Sequence, residues 1–72
     1  MIKIVEIFQL SKYQIIIFEK QPDHNYRWLK LGDKIYKPIT VHDAKNSVAI
    51  ESDDDISNTE YIEFLETIWF SN

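Results

Sequence analysis

Two apolar runs near the N-terminus, residues 2–10 (IKIVEIFQL) and 13–18 (YQIIIF), leave this chain few ways to fold. Both are rich in β-branched and aromatic residues, and the Ser11-Lys12 pair separates them, so they predict a β-hairpin. Alternate residues of a strand point to opposite faces, and here both faces are apolar. One set is Ile4, Phe8, Ile15 and Ile17, and the other is Val5, Ile7, Ile16 and Phe18. Such strands are normally covered on both sides, so the rest of the chain is expected to supply two covers.

Three more β-type segments follow the turn-forming loop 21–25. Residues 26–31 predict a third strand, which ends at a tight bend of Gly32 and Asp33. Gly32 is the only glycine of the chain, and we expect it to adopt a positive φ there. Residues 34–42 predict a fourth strand, and Pro38 within it indicates a sheet edge or a bulge because proline has no amide hydrogen. After a loop at 43–46, residues 47–52 predict a fifth strand.

The pattern changes after residue 52. Ser57-Asn58-Thr59-Glu60 has the spacing of a capping box, in which the Ser57 hydroxyl would accept a hydrogen bond from the Glu60 amide. The apolar residues that follow have helical spacing, so we predict a helix near 58–69 in a C-terminal segment, 57–70, that packs on the sheet. Leu65, Ile68 and Trp69 are expected to be buried by that packing. A sixth strand at 67–70 is the alternative for the last turn. The helical stripe consists of Tyr61, Phe64, Leu65 and Ile68, broadened by Ile62 and Trp69.

Together these segments predict a mainly β protein of one domain, residues 1–72. We expect residues 1–52 to form a small five-stranded antiparallel β-barrel or a strongly curved sheet, with one C-terminal α-helix packed on it. The chain has no cysteine, so neither a disulfide nor a thiolate zinc site can stabilise it.

The stretch LKLGDKIY (29–36) resembles the Leu-Lys-x-Gly-Asp-x-Ile segment of the β-barrel that follows the G domain in translation GTPases. The opening hairpin is similar to the first hairpin of the same barrel, and the resemblance covers residues 4 to 51. It implies an SH3-like or translation-type barrel in which Gly32 and Asp33 turn a corner between strands. The glycine that the family has near the end of its second strand is replaced here by Glu19 and Lys20. The chain contains no phosphate-binding loop, so the resemblance implies no nucleotide hydrolysis.

The charges are distributed unevenly. Residues 1–50 contain all 8 Lys and Arg and 5 of the 12 acidic residues, whereas residues 51–72 contain 7 acids and no Lys or Arg. The longest apolar run, residues 15–18, is far shorter than the ~20 residues of a membrane-spanning helix. The N-terminus lacks the apolar core of a signal peptide. We therefore expect a cytoplasmic protein with no membrane contact.

Catalytic and metal-binding patterns are weak. His24 and His42 do not have the spacing of a metal-binding pair, and no glycine-rich nucleophile context is present. Asp53, Asp55 and Ser57 match the first positions of a calcium loop, but position 6 of that loop is Asn58 and position 12 is Phe64. We expect no enzyme activity and no cofactor or metal, and we interpret the acidic loop as a solvated segment.

The segment 26–36 carries the most informative surface pattern. Leu29 and Leu31 are expected to face the core, and across the bend Ile35, Ile39 and Val41 are expected to do the same. The opposite face would then combine aromatic rings with cations, as in proteins that bind single-stranded nucleic acids. We expect the aromatic rings of this face to pack against the C-terminal helix, with the cations at the fringe of that contact, and a free partner-binding face is the alternative. The predicted members of this aromatic and basic face are Tyr26, Trp28, Lys30, Lys34 and Tyr36.

These patterns predict a small non-enzymatic protein of bacterial or phage type that serves as a protein-interaction or regulatory module. Its partner is expected to be another protein, and a homodimer is included among the alternatives. A barrel that binds single-stranded RNA, with an acidic autoinhibitory tail, is the second hypothesis. The two differ in salt dependence, because RNA binding weakens steeply with ionic strength.

Overall fold

In the computed structural model, which describes residues 1–41 and 45–67, the chain forms one antiparallel sheet with strand order β4-β3-β7-β1-β2-β6-β5. The mainly β fold class is therefore confirmed for the described residues. The sheet is not closed, since β4 and β5 are its two end strands. The strands are β1 (Ile2–Leu10), β2 (Tyr13–Phe18), β3 (Trp28–Leu31), β4 (Lys34–Tyr36), β5 (Ile39–Thr40), β6 (Ser47–Glu51) and β7 (Tyr61–Leu65).

The predicted N-terminal hairpin is confirmed. Leu10 lies opposite Tyr13, so the turn consists of Ser11 and Lys12, and Ser11 adopts a φ of 58°. The register of β1 against β2 shifts between Ile4 and Glu6, which is a β-bulge. The bulge changes which alternate residues of β1 face the core.

The predicted C-terminal helix is wrong for the residues that the structure describes. Tyr61–Leu65 is a strand that pairs with β3 on one side and with Ile2 and Lys3 of β1 on the other. Burial alternates along it, with Ile62 and Phe64 buried and Tyr61 exposed. Leu65 is half-buried. Ile68 and Trp69, which were also expected to be buried, and the alternative strand at 67–70 beyond Thr67 lie outside the described residues.

The predicted capping box is also wrong, because no helix begins at Ser57. The Ser57 hydroxyl donates to Asp55 Oδ1 at 2.6 Å, and the Ser57 amide donates to the same oxygen at 3.1 Å. These bonds lower the pKa of Asp55. The acidic residue thus stabilises a local turn before β7, where the Thr59 amide donates to the Ile56 carbonyl.

The link between β4 and β5 shows that the sheet curls. Pro38 divides the predicted fourth strand in two, and Lys37 and Pro38 alone join strands that lie at opposite ends of the sheet. Seven strands in a flat sheet would place the end strands about 29 Å apart. Two linking residues span about 11 Å at most. The sheet therefore folds over, and the inner faces of its two halves share one core.

This core joins residues of both halves. The rings of Phe18 from β2 and Phe64 from β7 meet edge to face at 5.0 Å. Ile56 fills the core from the loop before β7, and the Gln14 side chain donates to backbone carbonyls of that loop. The buried cluster consists of Ile16, Phe18, Leu29, Leu31, Val48, Ile50, Ile56, Ile62 and Phe64.

Gly32 has a φ of 65°, so its predicted positive φ is confirmed. The turn of Gly32 and Asp33 places Leu31 directly opposite Lys34. Glycine at the first central position with positive φ is typical of a two-residue hairpin turn whose twist matches that of the flanking strands.

Candidate interaction surfaces

The structure divides the predicted aromatic and basic face. Leu29 and Leu31 are buried as expected, and Trp28 and Lys30 lie on the opposite side of β3, half-buried. Tyr36 was expected beside them, but it lies opposite buried Leu29 and packs against the core. Directly opposite residues of neighbouring strands share a face. The two-residue turn therefore brings Tyr36 inward.

The registers of β4 and β5 reverse the prediction for two isoleucines. Ile35 and Ile39 were expected to face the core, and each is 40% exposed. Tyr26 packs against the core as well, with its ring 4.6 Å from that of Phe64. Of the five predicted partner-binding residues, only Trp28 and Lys30 lie together on the outer side of the sheet, and both belong to β3.

Carboxylates lie beside the predicted cations. Lys30 is directly opposite Glu63 of β7, and Lys34 Nζ is 3.4 Å from Asp54 Oδ1. The Tyr36 hydroxyl donates to Asp54 Oδ2 at 2.7 Å. The hydrogen bond from Tyr36, followed by Lys34, lowers the pKa of Asp54. Burial, followed by Asp54, raises the pKa of Tyr36 to about 12. This network holds the acidic loop against β4.

The half of the sheet formed by β1, β2, β6 and β5 has an apolar outer side. Phe8 lies opposite Ile15, Ile15 opposite Ala49, and Ala49 opposite Ile39, so the four form one row across four strands. Their strand neighbours Ile16 and Val48 point to the other side, into the core. The row therefore faces outward.

We call this surface the outer apolar face and define it by Phe8, Leu10, Tyr13, Ile15, Ile39 and Ala49. Its rim is open, with Phe8 39%, Leu10 58% and Ile39 40% exposed. Ile15 and Ala49 in the middle of the row are buried. The sequence signal for this face was the hairpin that is apolar on both sides. The sequence predicted that a C-terminal helix would pack on the sheet and cover its apolar side. The described part of segment 57–70 contains no helix.

A cleft of about 610 Å³ lies where the sheet is open. Tyr26, Arg27 and Trp28 line one side, and residues 37–41 line the other. Arg27 and Lys37 are exposed, and Trp28 and Pro38 are half-buried. The cleft adjoins the outer apolar face at Ile39, which belongs to both. Tyr26 and Trp28 are predicted binding residues, whereas the cations of this cleft, Arg27 and Lys37, were not predicted from the sequence.

His24 connects the loop after β2 to the edge of β7. Its Nδ1 is 3.0 Å from Asp23 Oδ1 and its Nε2 is 2.9 Å from the Phe64 carbonyl oxygen. Both nitrogens can donate only in the protonated ring. The Asp23 hydrogen bond, followed by the bond to the Phe64 carbonyl, raises the pKa of His24. His24 thus fixes the loop after β2 to β7, and we call this arrangement the clamp. The other histidine, His42, lies outside the described residues.

Among the described residues, no helix is long and apolar enough to cross a membrane, and no group of three or more His, Cys, Asp or Glu side chains is placed to hold a metal ion. Comparisons with protein families, with curated proteins and with solved structures find no match for this chain.

Proposed function

We propose that this chain is a non-catalytic protein-interaction module whose outer apolar face contacts a protein partner. The observation that supports the proposal is the outward row of Phe8, Ile15, Ala49 and Ile39. Apolar rows on a small sheet are normally covered. The exposed apolar side chains around this row, Phe8, Leu10 and Ile39, provide the surface that a partner would cover.

Covering the rim of this face would contribute useful binding energy. Fully burying a Leu, Ile or Phe side chain contributes about 1.5–3 kcal/mol. Phe8, Leu10 and Ile39 retain roughly two-fifths to three-fifths of their exposure. Burying the remainder of all three would contribute about 2–4 kcal/mol before the entropic cost of association. That contribution corresponds to about 30- to 1,000-fold in affinity.

Binding of single-stranded RNA is the second proposal, and the register gives it less support. Its predicted platform needed Tyr26 and Tyr36 on the outside with free lysines beside them. Both rings pack against the core, and Lys34 is paired with Asp54. The cytoplasmic location, the absence of catalysis and the resemblance to the translation-GTPase barrel stay predictions.

An affinity capture from the cell of origin, analysed for protein and nucleic acid together, tests the proposal. Phe8→Ser and Ile39→Ser remove apolar contacts from the outer apolar face. Ile35→Ser is a matched control, because Ile35 and Ile39 are both 40% exposed and both lie on end strands of the sheet. We expect a protein that binds the wild type and Ile35→Ser and is lost with Phe8→Ser and Ile39→Ser.

The contact is also expected to survive about 1 M salt, where charge interactions are screened within about 3 Å. Equal capture by Ile39→Ser and the wild type would contradict the proposal. Recovery of RNA that salt releases would favour the second one.

A further inference from the structure

The cleft beside Ile39 is the gap between two strand edges. β5 is an end strand of the sheet, so no described strand pairs with its outer edge. On the facing side, β4 pairs with β3 only from Leu29 to Leu31, so β4 does not extend alongside Trp28. Free strand edges bind extended peptides through backbone hydrogen bonds. The cleft therefore has the architecture of a strand-addition site.

The charge of the cleft differs from that of the chain. Arg27 and Lys37 come from its two sides, and neither has a carboxylate within ion-pair distance in the described part of the chain. By contrast, Lys12 is 3.7 Å from Glu51 and Lys34 is 3.4 Å from Asp54. No described residue that lines the cleft is acidic, although the chain has a net charge of −4. The cleft thus presents positive charge without a counter-charge among the residues that the structure describes.

The remaining lining suits a peptide rather than a small polar ion. Trp28 and Pro38 offer half-buried apolar surface in the same cleft as the two cations. The volume of about 610 Å³ lies within the range of about 300–1,000 Å³ that is usual for ligand clefts. An extended chain would place alternate side chains into the cleft and toward solvent.

We propose that the cleft binds an extended acidic segment of the partner protein, which adds as a strand along β5 with carboxylates directed at Arg27 and Lys37. This inference rests on the proposed function and names the chemistry of its partner. The partner combines an apolar patch, which covers the outer apolar face, with an adjoining acidic strand.

Fluorescence polarisation with a labelled short peptide that alternates glutamate and valine tests the inference. A lysine–valine peptide of the same length and a single-stranded RNA of matched length serve as competing probes. In the Arg27→Gln/Lys37→Gln double variant we expect the glutamate–valine peptide to bind about 5- to 30-fold more weakly, as for the loss of two partly exposed charge pairs. The Lys3→Gln/Lys12→Gln variant carries the same net charge, has both substitutions outside the cleft, and is expected to retain wild-type affinity.

Peptide binding should also shift the amide resonances of Thr40 and Val41. The inference is overturned if Arg27→Gln/Lys37→Gln binds the glutamate–valine peptide as the wild type does. The inference is also overturned if the lysine–valine peptide or the RNA binds the wild type more tightly than the glutamate–valine peptide does.

The two proposals fail separately. If Phe8→Ser loses the captured partner and the glutamate–valine peptide does not bind, the outer apolar face stands and the acidic-strand inference falls. If the peptide binds through Arg27 and Lys37 while Phe8→Ser retains the partner, the strand site stands and the role of the outer apolar face falls.

Discussion

Exchanging residues between the two hairpin turns should change stability in opposite directions. Ser11 and Gly32 occupy the same position, the first central residue of a two-residue turn, with φ of 58° and 65°. A side chain costs about 1–2 kcal/mol in this left-handed region, and alanine recovers about 0.4–1 kcal/mol through the unfolded chain. A Cβ at Gly32 meets no atom within 4 Å, so strain is the only cost. Gly32→Ala should therefore destabilise by about 1 kcal/mol.

Ser11→Gly should stabilise by about 1 kcal/mol, because the same strain is removed and the same entropy is lost. Urea unfolding followed by tryptophan fluorescence measures both changes, with a midpoint shift of roughly 1 M per kcal/mol for a chain of this size. Ser11→Ala is the control and should leave the midpoint unchanged, since serine and alanine bear the same strain. The reasoning would be refuted if Gly32→Ala left the urea midpoint unchanged, or if Ser11→Gly lowered it.

Three further predictions concern the core and the polar contacts. Ile62→Ala removes a fully buried side chain from a central strand and should cost about 2–5 kcal/mol in thermal unfolding; a cost under about 1 kcal/mol would mean that β7 is not central to the core. Tyr36→Phe removes the hydrogen bond that contributes most to the lowered pKa of Asp54, so the pKa of that carboxyl should rise toward 3.8 in an NMR titration, and an unchanged value would contradict the contact. The clamp of His24 and Asp23 should stabilise the fold most between pH 3.8 and 6.5. The raised pKa of His24 means that its contribution is lost as pH rises through the folded-state value, and the lowered pKa of Asp23 means that its contribution is lost as pH falls through the folded-state value. His24→Gln should flatten that dependence in urea unfolding measured across this range, and an unaltered pH profile would exclude the clamp.

Local patterns were enough to predict the N-terminal hairpin and the Gly32 turn. In the hairpin, the β-branched runs and the short polar turn favour the same structure, so no distant contact has to decide between alternatives. At Gly32 the sole glycine stands between two β-type runs, and a tight turn there needs a positive φ that glycine adopts without strain. Both features depend on residues that are adjacent in the chain.

The interaction surfaces depended on registers that composition does not encode. Tyr36 and Ile35 are neighbours, and either could face the core until the two-residue turn places Lys34 opposite Leu31. The same holds for the row from Phe8 to Ile39, which exists only because three separate registers align. A shift of one residue in any of them would move a whole set of side chains to the other face.

The mainly β class follows from the residue pattern alone, because β-branched and aromatic residues suit extended backbone wherever they pair. Residues 61–65, by contrast, form a strand because of their contacts with distant parts of the chain. Their apolar positions satisfy both a helical and a strand period, and so short a segment cannot distinguish the two. The open edges of β3 and β1 lie on either side of it, and pairing with both satisfies the backbone groups of the segment and buries Ile62 and Phe64. An isolated helix of this length would be marginal in water, so the strand partners prevail.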